Sequence, residues 1–215
     1  MPRVTSPDRL IVGISGASGA IYGVRMLEAL RQSGIESHLV ISRAAALTIA
    51  YELDISVQEV RDLADVVYPI QDVGAAISSG SFKTRGMVVA PCSARSLADI
   101  AYGSTDALLT RAADVVLKER RRLVLLMRET PLHLGHIRAM AQATEMGAIV
   151  MPPVPAFYSK PTSIADIVDH TIGRVLDLFD IDTDLVRRWR DGEQKAMPLQ
   201  APANRSDGPG SDDSL

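Results

Sequence analysis

The chain reads as a three-layer, doubly wound α/β domain on a mainly parallel sheet. Three observations predict this. Short apolar runs alternate with amphipathic stretches from residue 9 to about 180, which is the pattern of strands covered by helices on both faces. The first run ends in glycines at Gly13, Gly16, Gly19 and Gly23, and apolar periodicity then continues through Met26, Leu27 and Leu30. That is a strand, a tight turn and a helix N-terminus. Of the 215 residues, 47% are hydrophobic, enough to bury one substantial core.

The Ile- and Val-rich run predicts a strand at Leu10–Ile14, followed by a helix at Ala20–Ser33 with Gly34 at its C-cap. A second strand, Ser37–Ile41, ends in I-S-R, and helices at Arg43–Leu53 and Val57–Leu63 lead to a strand at Val66–Pro69. The fourth strand, Gly86–Ala90, is expected to stop at Pro91, leaving Cys92 and Ser93 on a loop. Ser93 or Ser96 then opens a helix at Ala94–Ala101, and Thr105 is the expected N-cap of a helix at Asp106–Arg120. Leu123–Met127, the helix His133–Met146 with Gly147 as C-cap, Ala148–Met151, and the helix Ile164–Phe179 with Ser163 as N-cap complete a Rossmann-like or flavodoxin-like order. Residues 1–8 read as an extension and 9–190 as the domain. Residues 191–215 read as a disordered tail, where from Gln194 onward Pro, Ala, Ser, Gly and Asp dominate.

Lys and Arg number 23 against 26 Asp and Glu, a formal net charge of −3, so nothing marks the whole chain for nucleic acid. The basic run Lys118–Arg122 is interrupted by Glu119 and reads as a solvated helix end. A lone Cys92 excludes an internal disulfide and fits a reducing compartment. No apolar run is long enough for a membrane span, and M-P-R-V-T-S-P-D is not a signal peptide. A soluble cytoplasmic protein is expected.

Ligands of such folds gather at the carboxyl ends of the strands. The glycine turn after the first strand is a phosphate cradle, with Ser15 and Ser18 as added hydroxyl donors; its alternative is a turn that only packs helix on strand. Neither G-x-G-x-x-G nor G-K-[ST] is present, so a single phosphate, as in FMN or a small phosphorylated substrate, fits better than a dinucleotide or triphosphate. After the second strand, Ser42 and Arg43 stand where NAD enzymes place an acid; Arg43 keeps NADP open. Ser42 suits a flavin contact, a helix cap, or both. A second polar cradle follows the fourth strand, and Cys92 beside it reads as a packed small side chain rather than a nucleophile. The loop of Ser78, Ser79, Gly80, Ser81 and Phe82 is either a connector or a site contact. Arg128 and Glu129, just past the fifth strand, suit phosphate recognition and proton transfer, or else form a surface ion pair. His133 and His136 have the spacing of a metal pair, but no third ligand is evident and no metal is expected.

Taken in order, G-A-S-G-A-x-Y-G, I-S-R-A-A, S-G-S-F, A-P-C-S, R-A-A-D-V-x-L-K-E-R-R, R-E-T-P-L-H and P-A-F-Y resemble the UbiX-type flavin prenyltransferases, from about residue 9 to 190. The resemblance implies transfer of a dimethylallyl group from dimethylallyl monophosphate to N5 and then C6 of reduced FMN, without a metal. The product is prenylated FMN for a UbiD-type decarboxylase. It implies flavin contacts from Gly16, Ala17, Ser18, Ser42, Ser93, Ala94, Arg95, Ser96 and Arg128, and prenyl-phosphate contacts from Arg111, Lys118, Arg128, Tyr158 and Arg174. Glu129 is the implied proton carrier, with Ser18 and Glu52 assisting. The family's dodecamers form sites between subunits, and Arg174 on the last helix is expected to serve a neighbour. The segment Q-D-V-G-A-A-I-S lacks the Trp that some relatives carry before S-G-S, and Trp189 is the only Trp. Two other readings share the ligand: an FMN-dependent cysteine-type decarboxylase, which typically shows P-A-x-N-T where this chain has A-P-C-S, and a non-catalytic flavin carrier.

Overall fold

A computed structural model describes residues 8–186 and 188. The expected tail, most of the N-terminal extension and Trp189 lie outside the described residues. Among the described residues six parallel strands form one sheet in the order β3-β2-β1-β4-β5-β6. They are β1 (Arg9–Ile14), β2 (Glu36–Ile41), β3 (Val66–Tyr68), β4 (Gly86–Cys92), β5 (Arg122–Met127) and β6 (Ile149–Val150). The helices are α1 (Ala20–Gln32), α2 (Arg43–Glu52), α3 (Val57–Asp62), α4 (Ala94–Ala101), α5 (Leu108–Lys118), α6 (Leu134–Glu145) and α7 (Ile164–Asp177).

Side chains alternate across a strand, so each central strand feeds two cores. Leu10, Val12 and Ile14 of β1 pack with α1, α2, α3 and α7, while Ile11 joins Met87, Val89 and Leu125 under α4, α5 and α6. Gly23 lets α1 sit close on the sheet: a Cβ there would come within 2.6 Å of the Ala90 carbonyl and of Ile14. Gly34 and Gly147 follow their helices in the left-handed region, at φ 67° and 102°, as expected of C-caps. Ser42, Ser93 and Ser163 cap α2, α4 and α7.

Two local expectations are corrected. Pro91 does not end β4, which runs to Cys92 with a register irregularity between Val89 and Cys92. The Pro91 carbonyl remains useful to the sheet edge, and Cys92 is a buried strand residue rather than a loop residue. Thr105 does not cap α5; Ala107 holds that place and offers no side-chain bond. Apolar burial of Leu108, Leu109 and Ala112 stabilises α5 instead.

Candidate active site

The strand order reverses between β1 and β4, and a cavity of about 400 Å³ opens at the carboxyl edge there. Gly16, Ser42, Arg43, Ser93, Arg95 and Ser96 line it on the polar side, and Ile70, Val73 and Leu109 on the apolar side. Two serine-capped helices, α2 and α4, begin at this cavity. The Ser42 hydroxyl accepts the Ala45 N–H at 3.0 Å and the Ser93 hydroxyl accepts the Ser96 N–H at 3.2 Å. The remaining first-turn N–H groups and both dipoles still favour an anion. Hydroxyls, guanidiniums and helix ends beside an apolar wall suit an aromatic ring that carries a phosphate, so FMN fits this donor set. Ala94 packs instead toward the α4–α6 core.

Ser15 does something other than line the cradle. It is 1% exposed, donates its hydroxyl proton to the Pro91 carbonyl at 2.9 Å, and accepts the Ser93 N–H at 2.7 Å. Its own backbone N–H also reaches Pro91, at 3.2 Å. One buried hydroxyl therefore ties the turn after β1 to the start of α4, fixing the first cradle against the second.

The N-terminus of α1 carries its own anion. Gly19, at φ 100°, offers no side-chain cap. The Glu52 carboxylate at the end of α2 takes its place, accepting N–H groups from Gly19 at 2.8 Å and Ala20 at 3.0 Å. Partial burial raises the Glu52 pKa, but hydrogen bonds from Ser18, Gly19 and Ala20 and the charge of Arg128 outweigh it and hold the carboxyl below its usual range. Ser18, Glu52 and Arg128 thus form one charged group beside the glycine turn. Tyr22 joins it: burial raises its pKa, opposed by the Arg128 charge and a hydrogen bond with Thr171 of α7.

Arg128 is half-buried and its backbone N–H donates to the Cys92 carbonyl at 3.0 Å, which locks the loop after β5 to the end of β4. Glu129 is exposed, and its carboxylate accepts the Thr130 N–H at 3.1 Å. Cys92 is fully buried and burial pushes its thiol up to about 12, the opposite of an activated nucleophile. The rings of His133 and His136 stack at 3.6 Å, and His133 accepts the Gly135 N–H as the α6 cap. Among the described residues no group of three His, Cys, Asp or Glu is placed to hold a metal, and no helix is long and apolar enough to cross a membrane.

The remaining sequence-predicted cations are not brought together. Arg111 and Lys118 lie on the outer stripe of α5, paired with Asp114 and Glu119 at 2.9 and 2.6 Å. Lys118 precedes β5 and Arg128 follows it, so the length of the strand, roughly 20 Å, separates them. Arg174 is on α7, across the sheet from α5, paired with Asp177 at 2.7 Å. The Ser79–Phe82 loop also sits at the amino edge, away from the cavity. Arg121 holds it by donating to the carbonyls of Gly80 at 2.7 Å and Phe82 at 2.6 Å, so the basic run is not merely a solvated end. Tyr158 lies in a short turn before α7 and contacts His170. Sequence reasoning missed Ser15 as a tie, Thr110 in the cavity wall and His170 behind Tyr158. Only His170 had a signal, its helical spacing to Arg174.

Comparison with known proteins gives a consistent result. The Flavoprotein family model matches residues 2–176. Flavin prenyltransferase UbiX of Escherichia coli strain K12 is 60% identical over 185 residues, covering 85% of this chain and 98% of the relative. The crystal structure of AnUbiX in complex with FMN and dimethylallyl pyrophosphate superposes with a TM-score of 0.84 at 52% identity, covering 86% of this chain and 98% of that one. A dodecameric FMN-dependent protein of E. coli O157:H7, described as a UbiX-like decarboxylase, gives 0.82 at 49%, covering 84% and 98%.

Proposed function

The chain belongs to the UbiX family of flavin prenyltransferases, and on that premise we propose its reaction and the part each residue plays. It joins a dimethylallyl group, supplied as dimethylallyl monophosphate, to N5 and C6 of reduced FMN, and the prenylated flavin passes to a UbiD-type decarboxylase. The 60% identity to the E. coli flavin prenyltransferase over 98% of that protein's length carries this reading. The cysteine-decarboxylase and flavin-carrier readings have no support of that strength.

Bound FMN supplies a nucleophilic nitrogen and an aromatic carbon, each of which loses a proton on alkylation. The chain supplies the rest. The helix ends at Ser42 and Ser93, with Gly16 to Ser18 and Arg95, hold the flavin against the apolar wall of the cavity. Arg128 faces the departing phosphate. Fixed cations stabilise the charge that develops as an allyl C–O bond breaks, and do so most strongly where water is excluded. Glu129, on the exposed loop after β5, takes and returns protons. Glu52 holds Ser18 in place to pass a proton with the phosphate.

Lys118 lies a strand's length from the Arg128 of its own protomer, so its role at the phosphate requires a further copy, as in a dodecamer. Each copy then lends the Lys118 end of α5 and the Ser79–Phe82 loop beside it to a neighbour's cavity. The test is anaerobic incubation with reduced FMN and either dimethylallyl monophosphate or the pyrophosphate. A flavin heavier by one prenyl group is expected with the monophosphate. An unchanged flavin mass with both donors would overturn the reading.

A further inference from the structure

Tyr158 is half-exposed, yet its hydroxyl is anchored from behind. The oxygen lies 3.1 Å from Nε2 of His170, and the rings meet edge to face at 5.6 Å and 82°. His170 is 8% exposed and sits on α7 four residues before Arg174. That spacing puts the imidazole and the guanidinium on one helical stripe. Arg174 is steadied from its other side by Asp177 at 2.7 Å. Tyr158, His170 and Arg174 thus form a row, of which His170 is the buried member. The neighbouring Thr171 touches Tyr22, which feels the charge of Arg128, so this part of α7 borders the Arg128 corner.

A phenolic hydroxyl has one proton to give. If Tyr158 donates it to His170, its lone pairs face outward and repel an anion. If His170 carries its proton on Nε2 and donates to the Tyr158 oxygen, the hydroxyl proton can be directed at an incoming phosphate. Only the second arrangement makes Tyr158 an anion donor.

We propose that His170 is a positioning residue of the prenyl-phosphate site, donating from Nε2 to Tyr158 and so aiming the tyrosine proton at the phosphate. This rests on the prenyltransferase reading. It assigns His170 a role through Tyr158 and no contact with substrate.

The experiment is a double-mutant cycle in the full-length protein, with steady-state kinetics in dimethylallyl monophosphate and a separate FMN titration. His170→Leu is expected to raise KM for the prenyl phosphate about tenfold or more, with FMN affinity and oligomer mass unchanged. His170→Gln, which keeps a donor, recovers most of the loss. In a Tyr158→Phe background, His170→Leu should cost nothing further. Should His170→Leu not fold, His170→Gln against the acceptor-only His170→Glu decides, with Gln expected well ahead. Wild-type KM in His170→Leu, equal loss of FMN binding, multiplicative losses in the cycle, or Glu equal to Gln would each overturn the inference. A wild-type protein that prenylates no flavin would instead sink the underlying reading.

Discussion

Replacing Ser15 by Ala tests whether the two flavin cradles are held by one buried hydroxyl. The substitution removes the 2.9 Å bond to the Pro91 carbonyl and the 2.7 Å bond from the Ser93 N–H. The two losses are unequal. Pro91 keeps the Ser15 backbone N–H at 3.2 Å, so its oxygen forfeits about 0.5 kcal/mol, whereas Ser93 loses a partner in a half-buried place, at about 1–2 kcal/mol. The total is about 2 kcal/mol, which for a domain of this size lowers Tm by about 4–8 °C. Midpoints are compared at fixed protein concentration, because assembly shifts them, and Glu145→Ala on the exposed side of α6 is the control, expected within about 0.5 kcal/mol of wild type. FMN affinity should fall several-fold in Ser15→Ala, since the start of α4 loses its tie. A Tm within about 1 °C of wild type together with unchanged FMN binding would refute the argument.

Three other outcomes follow from the same geometry. Glu129→Gln should bind FMN as wild type does while kcat falls by about 10²–10⁴; parallel loss of flavin binding would make Glu129 structural. Glu52 has a depressed pKa when folded, so it stabilises the protein above the ordinary glutamate range, and that contribution disappears as pH falls through the folded value. The urea-midpoint difference between wild type and Glu52→Gln should therefore be full at pH 6 and shrink toward pH 3; a constant difference would show that charge is not involved. Lys118→Ala and Arg128→Ala chains should each be inactive alone, and equal co-expression should restore about a quarter of the sites if each draws these two residues from different copies. Mixed oligomers with no recovered activity would remove the shared-site reading.

Periodicity and composition carried the fold well, because the forces that set it are local or face-specific. Every expected strand and helix is present, with ends shifted by a few residues. Alternation in β1 sends Leu10, Val12 and Ile14 one way and Ile11 the other, and a one-residue shift would have sent each into the opposite core. Serine caps were legible for the same reason, since Ser42, Ser93 and Ser163 each bond an N–H within three residues. Thr105 failed because α5 needs no cap once its apolar face is buried. Pro91 failed because the end of a strand tolerates a residue that donates nothing to the ladder.

The site was legible only where neighbours in space are neighbours at one sheet edge. Gly16, Ser42, Ser93 and Ser96 fall together because each follows a strand directly, and topology alone puts those strand ends side by side. Contacts between separate elements left no such trace. Glu52 reaches the N-terminus of α1 from the far end of α2, and Ser15 bonds Ser93 across 78 positions. The cations of α5 show the limit most clearly. Arg111, Asp114 and Lys118 recur at helical spacing on an outward face, a pattern that elsewhere marks only a solvated surface. A lone protomer gives that reading no correction, since burial and pairing are those of ordinary surface charges. The role proposed for Lys118 requires another subunit to close over it. The amphipathic period specifies how a helix meets its own core, and it carries no record of what meets the other side.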